Sequence, residues 1–382
     1  MRVLLIGGTG LLSSAIAQRS LQLGHTVYVL NRGYRKAFLP IGAILLQADI
    51  HNQEEVRACI EDKKFDVIVD FLSYREKELF NTLQLLSQHC LQFIFISSCA
   101  VYKKPDIDGF FRETSELGNA EWSYGREKLK CEILLKKYMD RSGQYYTIVR
   151  PSITYGDTRL PYHIMPAYGW HWSLVERIRH GKALPCWNHG EGKTTVTHVL
   201  DFAKGVVGLF MNERAFNNVF HITTDQICSW REIAEVIGNN VGERVKFVDI
   251  PAKYFSYILP MYRGIIRGSR GRDALYNNDK IKSVVPEFNC EIDLNTGVAM
   301  TLEYYKKHDF IKGIDYIWDA DMDYLINHYN NAIGSPVRYA YIEYLKGDSM
   351  RGAMEIYKKR QTVISRFQIF VKSIVKRVLG RE

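Results

Sequence analysis

Short apolar runs alternate with longer amphipathic stretches through the first 150 residues of the chain. The apolar runs predict strands at 3–6, 26–30, 43–47, 66–71, 92–97 and 145–150. The amphipathic stretches predict helices near 11–23, 53–61, 76–88 and 123–141. Strands that alternate with helices at this spacing indicate a parallel sheet covered on both faces, the doubly wound arrangement.

The pattern changes after residue 151. Loops rich in Trp, His, Gly and Pro extend to about residue 195. A helix at 199–212, a strand at 218–222 and a helix at 229–241 are predicted next, and 251–330 reads as mixed but mostly helical. This inserted material follows the carboxyl end of a strand, where open α/β sheets bind their ligands. We therefore interpret it as a substrate-binding lobe.

A glycine-rich turn, Gly7-Gly8-Thr9-Gly10, joins the first strand to the first helix. Gly8, Gly10 and Ser13 occupy the three positions of the G-x-G-x-x-G fingerprint, the third of which is therefore not glycine. Such a turn lets the backbone approach a pyrophosphate at the positive end of a helix. The turn predicts dinucleotide binding, with Gly7, Gly8, Thr9, Gly10, Leu11 and Leu12 as cofactor contacts.

These features together predict an α/β fold of the Rossmann type, with a smaller mixed α/β C-terminal substrate lobe and a C-terminal helical tail. The predicted divisions are 1–155 for NAD(P) binding, 156–335 for the substrate lobe and 336–382 for the tail. Some segments of the lobe are expected to return to the Rossmann sheet.

The charge of the chain is concentrated at its C-terminal end. The net charge is +9, and residues 358–382 carry eight Lys and Arg against one Glu, so the remainder is nearly neutral. Apolar residues recur in 360–380 at helical spacing, which predicts a basic amphipathic helix. It either lies on an anionic membrane surface or docks on the body or a partner subunit. The tail lacks interleaved exposed aromatics, so nucleic acid is not an expected partner.

Cysteine usage and hydropathy favour a cytoplasmic protein, with membrane association through the tail as the open alternative. The seven cysteines form no C-x-x-C pair, which argues for a reducing compartment and against a structural zinc site, so no metal is expected. The N-terminus has no signal peptide, and no apolar stretch is long enough to span a bilayer.

Tyr124 and Lys128 lie four residues apart, on one face of a predicted helix. A neighbouring ammonium group favours the phenolate and suits tyrosine for acid–base chemistry. Ser98, at the end of the 92–97 strand, is placed to hold a substrate oxygen. A second Y-x-x-x-K match at Tyr276–Lys280 has no serine and strand end before it, so we assign the chemistry to the first match.

Several motifs occur in the order of a known family. They are Gly7-Gly8-Thr9-Gly10, Asp49, Ser98-Cys99-Ala100-Val101-Tyr102, Tyr124 with Lys128, Arg150-Pro151-Ser152-Ile153-Thr154-Tyr155-Gly156 and Thr197-His198-Val199-Leu200-Asp201. Over roughly residues 1–310, the chain resembles the extended short-chain dehydrogenase/reductases, the NAD-dependent epimerase/dehydratase family that acts largely on nucleotide sugars. The resemblance implies an NAD(P)-dependent enzyme and a nucleotide-sugar or related small-molecule substrate.

The resemblance also implies roles for individual residues. Tyr124 is the acid/base, Lys128 binds the nicotinamide ribose and tunes the tyrosine, and Ser98 holds the reacting hydroxyl or carbonyl. Asp49 with Ile50 contacts the adenine. Further expected cofactor contacts are Phe71 and Pro151, and further expected substrate contacts are His198, Arg267 and Arg270. Arg267 and Arg270 belong to a glycine-spaced series of arginines that is typical of a mobile anion-binding loop. A homodimer is a further expectation that stays open.

Three departures from the family pattern narrow the reaction. Family 4,6-dehydratases carry an Asp-Glu pair where this chain has Cys99 and Ala100, so dehydration is disfavoured. Lys103 and Ile153 replace a glycine and an asparagine, and the second change alters the expected substrate pose. Epimerisation and keto-sugar reduction both stay open. The alternative is a non-catalytic protein of the same fold that binds NAD(P) or nucleic acid.

The end of the second strand bears on the choice of cofactor. It reads Asn31-Arg32 and is followed by Arg35 and Lys36. A carboxylate at the end of this strand would exclude the 2′-phosphate of NADP. An arginine at this place accepts a phosphate. The sequence therefore slightly favours NADP over NAD, with Asn31 and Arg32 as contacts, and leaves NAD open.

Overall fold

The computed structural model describes residues 1–34, 38–311 and 314–339. Arg35, Lys36 and the basic helix predicted in 360–380 lie outside the described residues. The strands are, in chain order, β1 (Arg2–Ile6), β2 (Thr26–Asn31), β3 (Ile44–Gln47), β4 (Phe65–Asp70), β5 (Cys90–Ile96), β6 (Phe110–Phe111), β7 (Tyr145–Pro151), β8 (Ile153–Tyr155), β9 (Leu184–Cys186), β10 (Lys193–His198), β11 (Asn218–Ile222), β12 (Ile227–Ser229), β13 (Phe247–Asp249) and β14 (Leu275–Tyr276).

The helices interleave with these strands. They are α1 (Leu11–Gln22), α2 (Gln53–Ile60), α3 (Glu76–Leu86), α4 (Ser123–Ser142), α5 (Trp172–Arg179), α6 (Val199–Gly208), α7 (Trp230–Asn240), α8 (Ala252–Ile258), α9 (Arg263–Ile265), α10 (Asp279–Val284), α11 (Leu294–Lys307) and α12 (Tyr316–Ala332). No helix in this part of the chain combines the length and the hydrophobicity that crossing a bilayer requires.

A seven-stranded parallel sheet has the order β11-β7-β5-β4-β1-β2-β3. The chain leaves β1 in one direction for β2 and β3, and then returns to build β4, β5, β7 and β11 on the other side. The strand order therefore reverses between β1 and β4, and such a switch point opens a ligand crevice at the carboxyl ends of the strands. The predicted doubly wound Rossmann sheet is confirmed.

Both faces of this sheet are buried. Along β1, Val3 and Leu5 face a core shared with α1 and α6, while Leu4 and Ile6 face a core shared with α2, α3 and α4. Side chains alternate between the two faces of a strand, so a continuously apolar strand indicates helices on both sides. This explains why the β1 sequence is apolar without alternation.

A third core lies among the segments that follow β7. It contains Trp187, Trp230 and Trp318, packed with apolar side chains of α5, α7, α11 and α12. Small sheets accompany it, with β12-β10-β8 and β13-β9 as their strand orders. Two later segments return to the large sheet: β11 pairs with β7, and α6 packs against α1.

Three segments differ from the sequence prediction. The segment predicted as loops up to about residue 195 contains β8, α5, β9 and the start of β10. The helix predicted at 199–212 ends at Gly208, where the side chain amide of Asn212 donates to the Gly208 carbonyl and begins a short turn. The glycine-spaced arginine segment, predicted as a loop, forms helical turns: α9 continues into a π-helix, Ile266–Arg270. Its glycines allow close packing, since a Cβ on Gly268 would lie 2.6 Å from the Cβ of Trp122.

Candidate active site

A cavity of about 630 Å³ opens at the switch point of the sheet. Its walls come from the glycine turn and the start of α1, from the chain that follows β4, β5 and β7, and from the π-helix of the lobe. It contains Ser98, Tyr124 and Lys128, the three residues predicted to carry the chemistry. The remaining predicted cofactor contacts that line it are Gly7, Gly10, Leu11, Leu12, Phe71 and Pro151.

The glycine turn is held in shape by Ser13. Gly7 has a φ of +91°, a conformation that glycine adopts without strain. The Ser13 hydroxyl donates to the Gly7 carbonyl (2.9 Å) and accepts from the Gly10 backbone N–H (3.0 Å). The serine in the third fingerprint position therefore closes the turn with hydrogen bonds that glycine could not make.

The start of α1 suits a diphosphate. Leu11, Leu12 and Ser13 line the cavity, and the first turn of α1 contains no acidic residue. The first N–H groups of a helix have no intrahelical partner, and the helix dipole adds positive potential there. The residues present thus fit the pyrophosphate of a dinucleotide.

Tyr124 begins α4 beside Ser98. Its ring packs between Trp122 and Tyr74, with centroids 5.0 Å and 6.2 Å away. Burial raises the pKa of Tyr124 to about 12, while the Ser98 hydroxyl and the Arg159 guanidinium act in the opposite direction. The Ser98 hydroxyl accepts a hydrogen bond from the Ala100 backbone N–H (3.1 Å), which fixes its position.

Lys128 lies one helical turn further along α4 and is almost fully enclosed. Its ammonium donates to the carbonyls of Ser73 and Ile96, both at 2.8 Å. Burial lowers its pKa to about 8, opposed by the carboxylate of Asp70. Two of its three protons are thus used by the chain that follows β4 and by the end of β5, and the third remains for a hydroxyl in the cavity.

A buried network fixes α4 against the sheet. Glu132, one turn beyond Lys128, accepts from the Ser97 hydroxyl (2.6 Å). It also accepts from Arg150 through Nε (2.9 Å) and Nη2 (2.6 Å). Arg150 Nη1 donates to the Tyr102 hydroxyl (2.6 Å), which in turn contacts His221. The helix that carries Tyr124 and Lys128 is thereby tied to β5 and β7.

Other predicted cofactor residues lie beyond this cavity. Gly8 packs against Val29, and Thr9 lines a neighbouring depression. Asn31 ends β2 in register with Gln47 of β3, and Arg32 is the next residue after the strand. Asp49 and Ile50 follow β3, with the Asp49 carboxylate accepting from the His51 backbone N–H (3.0 Å). The residues predicted to contact the adenosine part of the cofactor thus lie at the ends of β2 and β3, outside the cavity.

The residues predicted to contact the substrate lie in different places in the structure. Arg270 lines the cavity. Arg267, on the same π-helix, reaches Glu121 instead, with 3.6 Å between Nη1 and the carboxylate. His198 is buried at the start of α6, where its Nδ1 accepts from the Leu200 backbone N–H (3.4 Å) as a helix cap. Burial lowers its pKa to about 4.

Tyr276 and Arg159 are among the residues of the cavity wall that sequence reasoning did not assign to the site. Tyr276, from the second Y-x-x-x-K match, lines the cavity, and burial raises its pKa while the Ser152 hydroxyl lowers it. Its partner Lys280 points away and donates to Asn218. Arg159, four residues after Tyr155, lies beside Tyr124 and belongs to no motif. Only the second tyrosine–lysine match gave any signal of these positions.

Cys99, which follows Ser98, is unsuited to proton transfer. Its thiol donates to the Arg150 carbonyl (3.2 Å), and burial raises its pKa well above the usual value. All seven cysteines are free thiols. Across residues 1–34, 38–311 and 314–339, no group of three or more His, Cys, Asp or Glu side chains is placed to hold a metal.

Comparisons with known proteins agree with this architecture. The profile of the NAD dependent epimerase/dehydratase family matches residues 3–222. The chain is 24% identical over 254 residues to the chloroplast stem-loop binding protein of 41 kDa b from Arabidopsis thaliana. That match covers 63% of each protein, so the chain spans less than two thirds of this relative's length.

Two further similarities concern enzymes. The 2′-dehydrokanamycin reductase of Streptomyces kanamyceticus is 20% identical over 254 residues, covering 66% of this chain and 70% of the reductase. The crystal structure of UDP-glucose 4-epimerase from Thermotoga maritima with UDP-glucose superposes with a TM-score of 0.65 at 18% identity. That superposition covers 81% of this chain and 99% of the epimerase. At this identity the structural similarity establishes the fold.

Proposed function

Because the chain belongs to the NAD dependent epimerase/dehydratase family, we propose that it catalyses NAD(P)-dependent hydride transfer on a sugar. It acts as a nucleotide-sugar epimerase or as a keto-sugar reductase. The observation that carries the proposal is that Ser98, Tyr124 and Lys128 line one cavity together with the glycine turn. Residues 156–335 supply most of the substrate contacts.

Each of the three side chains has one task. Ser98 holds the reacting oxygen beside Tyr124. In the reducing direction the Tyr124 phenol gives its proton to the carbonyl oxygen as hydride arrives at carbon, and in the oxidising direction the phenolate takes the hydroxyl proton. Lys128 hydrogen-bonds the ribose of the cofactor with its third proton. The nicotinamide supplies or accepts the hydride when it is bound.

The phenol of Tyr124 suits the proton-donating direction at neutral pH, since its pKa is near 12. The oxidising direction needs the phenolate, which positive charge in the cavity stabilises. Dehydration is disfavoured, because Cys99 and Ala100 follow Ser98 and neither transfers a proton to a leaving hydroxide. NADP is the preferred cofactor, because Asn31 ends β2 and Arg32 follows it where a carboxylate would exclude a 2′-phosphate, and NAD is the alternative.

Replacing Tyr124 by Phe tests the proposed chemistry. The measurement is turnover with a panel of UDP- and dTDP-linked hexoses and keto-hexoses, followed by NMR of the sugar and by NADPH absorbance. Tyr124→Phe should lose turnover and keep dinucleotide binding, whereas Tyr257→Phe, at an exposed position on α8, should keep both. Full activity in Tyr124→Phe would remove the assignment of the acid/base.

The bound cofactor separates the two reactions. An epimerase returns its hydride to the same sugar and has no need to release the dinucleotide, whereas a reductase exchanges it every cycle. Denaturing the purified protein and identifying the released dinucleotide by mass spectrometry distinguishes them. Retained NAD⁺ supports the epimerase, and a protein that is isolated empty but binds added NADPH supports the reductase.

The name of the Arabidopsis relative favours one second candidate, a stem-loop binding protein on the same fold. Such a protein would shift an RNA stem-loop in a gel assay and show no turnover with any sugar of the panel. Turnover that depends on Tyr124 would exclude a purely non-catalytic role, since binding RNA does not require a Ser–Tyr–Lys set.

For the basic tail at 358–382 two roles remain as proposals. It binds an anionic membrane surface, or it docks on the body of the protein or on a partner subunit. Flotation of vesicles containing anionic lipid, with the full chain and with a chain ending at residue 357, decides between them. Loss of vesicle binding on truncation supports membrane contact, and equal partitioning of both chains supports docking.

A further inference from the structure

Asp70 is a fully buried carboxylate at the last position of β4, with a side chain that is 0% exposed. Its Oδ1 accepts from the backbone N–H groups of Leu72 (2.8 Å) and Ser73 (3.2 Å). Its Oδ2 is enclosed and has no hydrogen-bond donor among the residues that the structure describes. Burying a carboxylate in this way is costly unless a positive charge lies near it.

The strand register places Asp70 on the face of the sheet that α4 covers. Asp70 pairs with Ile6 of β1 and with Phe95 of β5, and both belong to the core shared with α2, α3 and α4. Paired residues of neighbouring strands point to the same side of a sheet. The Lys128 ammonium lies 4.7 Å from the centre of the Phe95 ring and donates to the carbonyl of the next residue, Ile96. Asp70 and Lys128 therefore lie on the same face, beside the same strand ends.

Ser73 connects the two groups by hydrogen bonds. Its backbone N–H donates to Asp70 Oδ1 (3.2 Å), and its carbonyl accepts from the Lys128 ammonium (2.8 Å). The carboxylate thus holds the turn after β4 in the conformation that presents this carbonyl to Lys128.

Asp70 is also the strongest negative charge that acts on Lys128. Burial lowers the pKa of Lys128 to about 8, and the Asp70 carboxylate is the largest effect in the opposite direction. Burial raises the pKa of Asp70, while hydrogen bonds from Ser73 and Leu72 and the charge of Lys128 act against that rise. Each of the two charged forms therefore depends on the other.

The other groups that act on Lys128 are weaker sources of negative charge. The Cys131 thiol is neutral, because burial raises its pKa to about 12. Glu132 is paired with Arg150 (2.6 Å). Glu78, on α3, accepts from two backbone N–H groups just before that helix. Asp70 is thus left as the counter-charge of Lys128.

We propose that Asp70 is a positioning residue for the reaction: its carboxylate fixes the Ser73 carbonyl that receives Lys128 and keeps Lys128 in its ammonium form. This rests on the proposed function, in which Lys128 binds the ribose of the cofactor. Asp70 acts through Lys128 and through the turn, because its own oxygens are occupied by backbone N–H groups or enclosed. Its charge therefore sets the upper pH at which the cofactor binds.

The test measures the protonation of Lys128 without any dinucleotide. The full chain is treated with a limiting amount of acetic anhydride between pH 6 and pH 11, and acetylation of Lys128 is followed by mass spectrometry, since only the free amine reacts. The wild type should show a midpoint near pH 8. Asp70→Asn keeps an oxygen that accepts from the turn but removes the charge, so the midpoint should fall by about one pH unit or more.

Asp66→Asn is the matched control on the same strand. The Asp66 carboxylate accepts from the backbone N–H of Arg2 (2.7 Å), near the other end of β4, so its loss should leave the midpoint unchanged. An unchanged midpoint in Asp70→Asn would overturn the proposal, because a carboxylate that only holds the turn does not affect the protonation of Lys128.

Urea unfolding supplies a second measurement of the same pairing. Lys128→Met and Asp70→Asn each leave one buried charge without its partner, so each should lower the urea midpoint. The double variant removes both charges and should lose less stability than the two single losses added together. Losses that simply add would contradict the pairing of Asp70 with Lys128.

NADPH titration separates this proposal from the proposed function. The rise in the Kd of NADPH at high pH should begin about one pH unit lower in Asp70→Asn than in the wild type. A protein that binds no NADPH but shows the shifted acetylation midpoint would contradict the proposed function and support the pairing. A shifted acetylation midpoint with an unchanged Kd profile would overturn the role of Asp70 in cofactor binding.

Discussion

A Cβ atom on Gly125 would lie 2.1 Å from the carbonyl oxygen of Ala100. Only glycine allows α4 to approach the chain after β5 this closely. The contact sets the distance between Tyr124, the residue before Gly125, and Ser98, two residues before Ala100. The glycine is therefore part of the reason that the two hydroxyls lie in one cavity.

Gly125→Ala should lower both the activity and the stability of the protein. An alanine in a helix interior normally stabilises by about 0.5–1 kcal/mol relative to glycine. Here the clash with a backbone carbonyl forces α4 outward, with a net stability loss of about 1–3 kcal/mol. A shift of roughly 1 Å at the reacting groups lowers kcat/KM by about 10²-fold.

The measurements are urea unfolding and turnover with the sugar that the panel identifies. Lys130→Ala, at an exposed position of the same helix, is the control and should leave both unchanged. Unchanged kcat/KM in Gly125→Ala together with higher stability would show that α4 tolerates the methyl group and that the contact does not position Tyr124.

Glu132→Gln should destabilise the protein by about 3–5 kcal/mol, the cost of breaking a buried ion pair on one side. The substitution leaves Arg150 charged and buried without its carboxylate, in a place where its side chain is 1% exposed. The check is the free energy of unfolding in urea. Glu116→Gln is the control: its pair with Lys103 is exposed, so its loss should change stability by less than about 1 kcal/mol. Similar losses in the free energy of unfolding for both variants would show that burial does not determine how much an ion pair contributes to stability.

The sequence predicted the parts of the site that lie close together along the chain. Tyr124 and Lys128 share a helix face by spacing alone, and the glycine turn follows from a strand–turn–helix pattern. In the sequence, Ser13 shows only that the third fingerprint position is not glycine. Its two hydrogen bonds to the turn depend on the χ1 angle and on the path of the turn, which no sequence pattern gives.

The contacts between distant segments could not be predicted in this way. Arg159 reaches Tyr124 because the loop after β8 folds back over the cavity, and no residue spacing encodes that return. His198 was expected at the substrate because of its motif. In the structure it caps α6, since a side-chain acceptor just before a helix finds an unpaired backbone N–H at once. This local hydrogen bond accounts for the position of His198 without any contact to a ligand.

Dinucleotide affinity should fall as the pH rises through about 8. The pKa of Lys128 is lowered to about 8 by burial, so its ammonium is charged below that pH and neutral above it. If the charged form binds the ribose, the Kd should be constant below about pH 7 and rise roughly tenfold from pH 7 to pH 9. Titration of NADPH fluorescence measures this.

Lys128→Met supplies the comparison for this pH profile. It should bind NADPH more weakly at pH 7 and show a flat profile up to pH 9. Tyr124, with a pKa near 12, does not titrate in this range. A wild-type Kd that does not change between pH 7 and pH 9 would mean that the charge of Lys128 is not needed for binding.

Arg32 should discriminate between the two dinucleotides. β2 ends at Asn31, whose side chain accepts from the Gly33 backbone N–H (2.7 Å) and turns the chain away from the sheet. Arg32 is left exposed at this turn, with its guanidinium 5.1 Å from the centre of the Tyr34 ring. The residue that pairs with Asn31 on β3 is Gln47, which is neutral and so does not repel a 2′-phosphate.

Arg32→Ala should raise the Kd for NADPH by about tenfold, because one charge-assisted hydrogen bond is lost, and change the Kd for NADH by less than about twofold. Arg32→Lys keeps the charge but not the fork, and should lie between the wild type and Arg32→Ala. The two dinucleotides serve as internal controls for folding, because they share every group except the 2′-phosphate. Equal weakening of both would place Arg32 on a shared group of the cofactor, and no change for either would favour NAD as the cofactor.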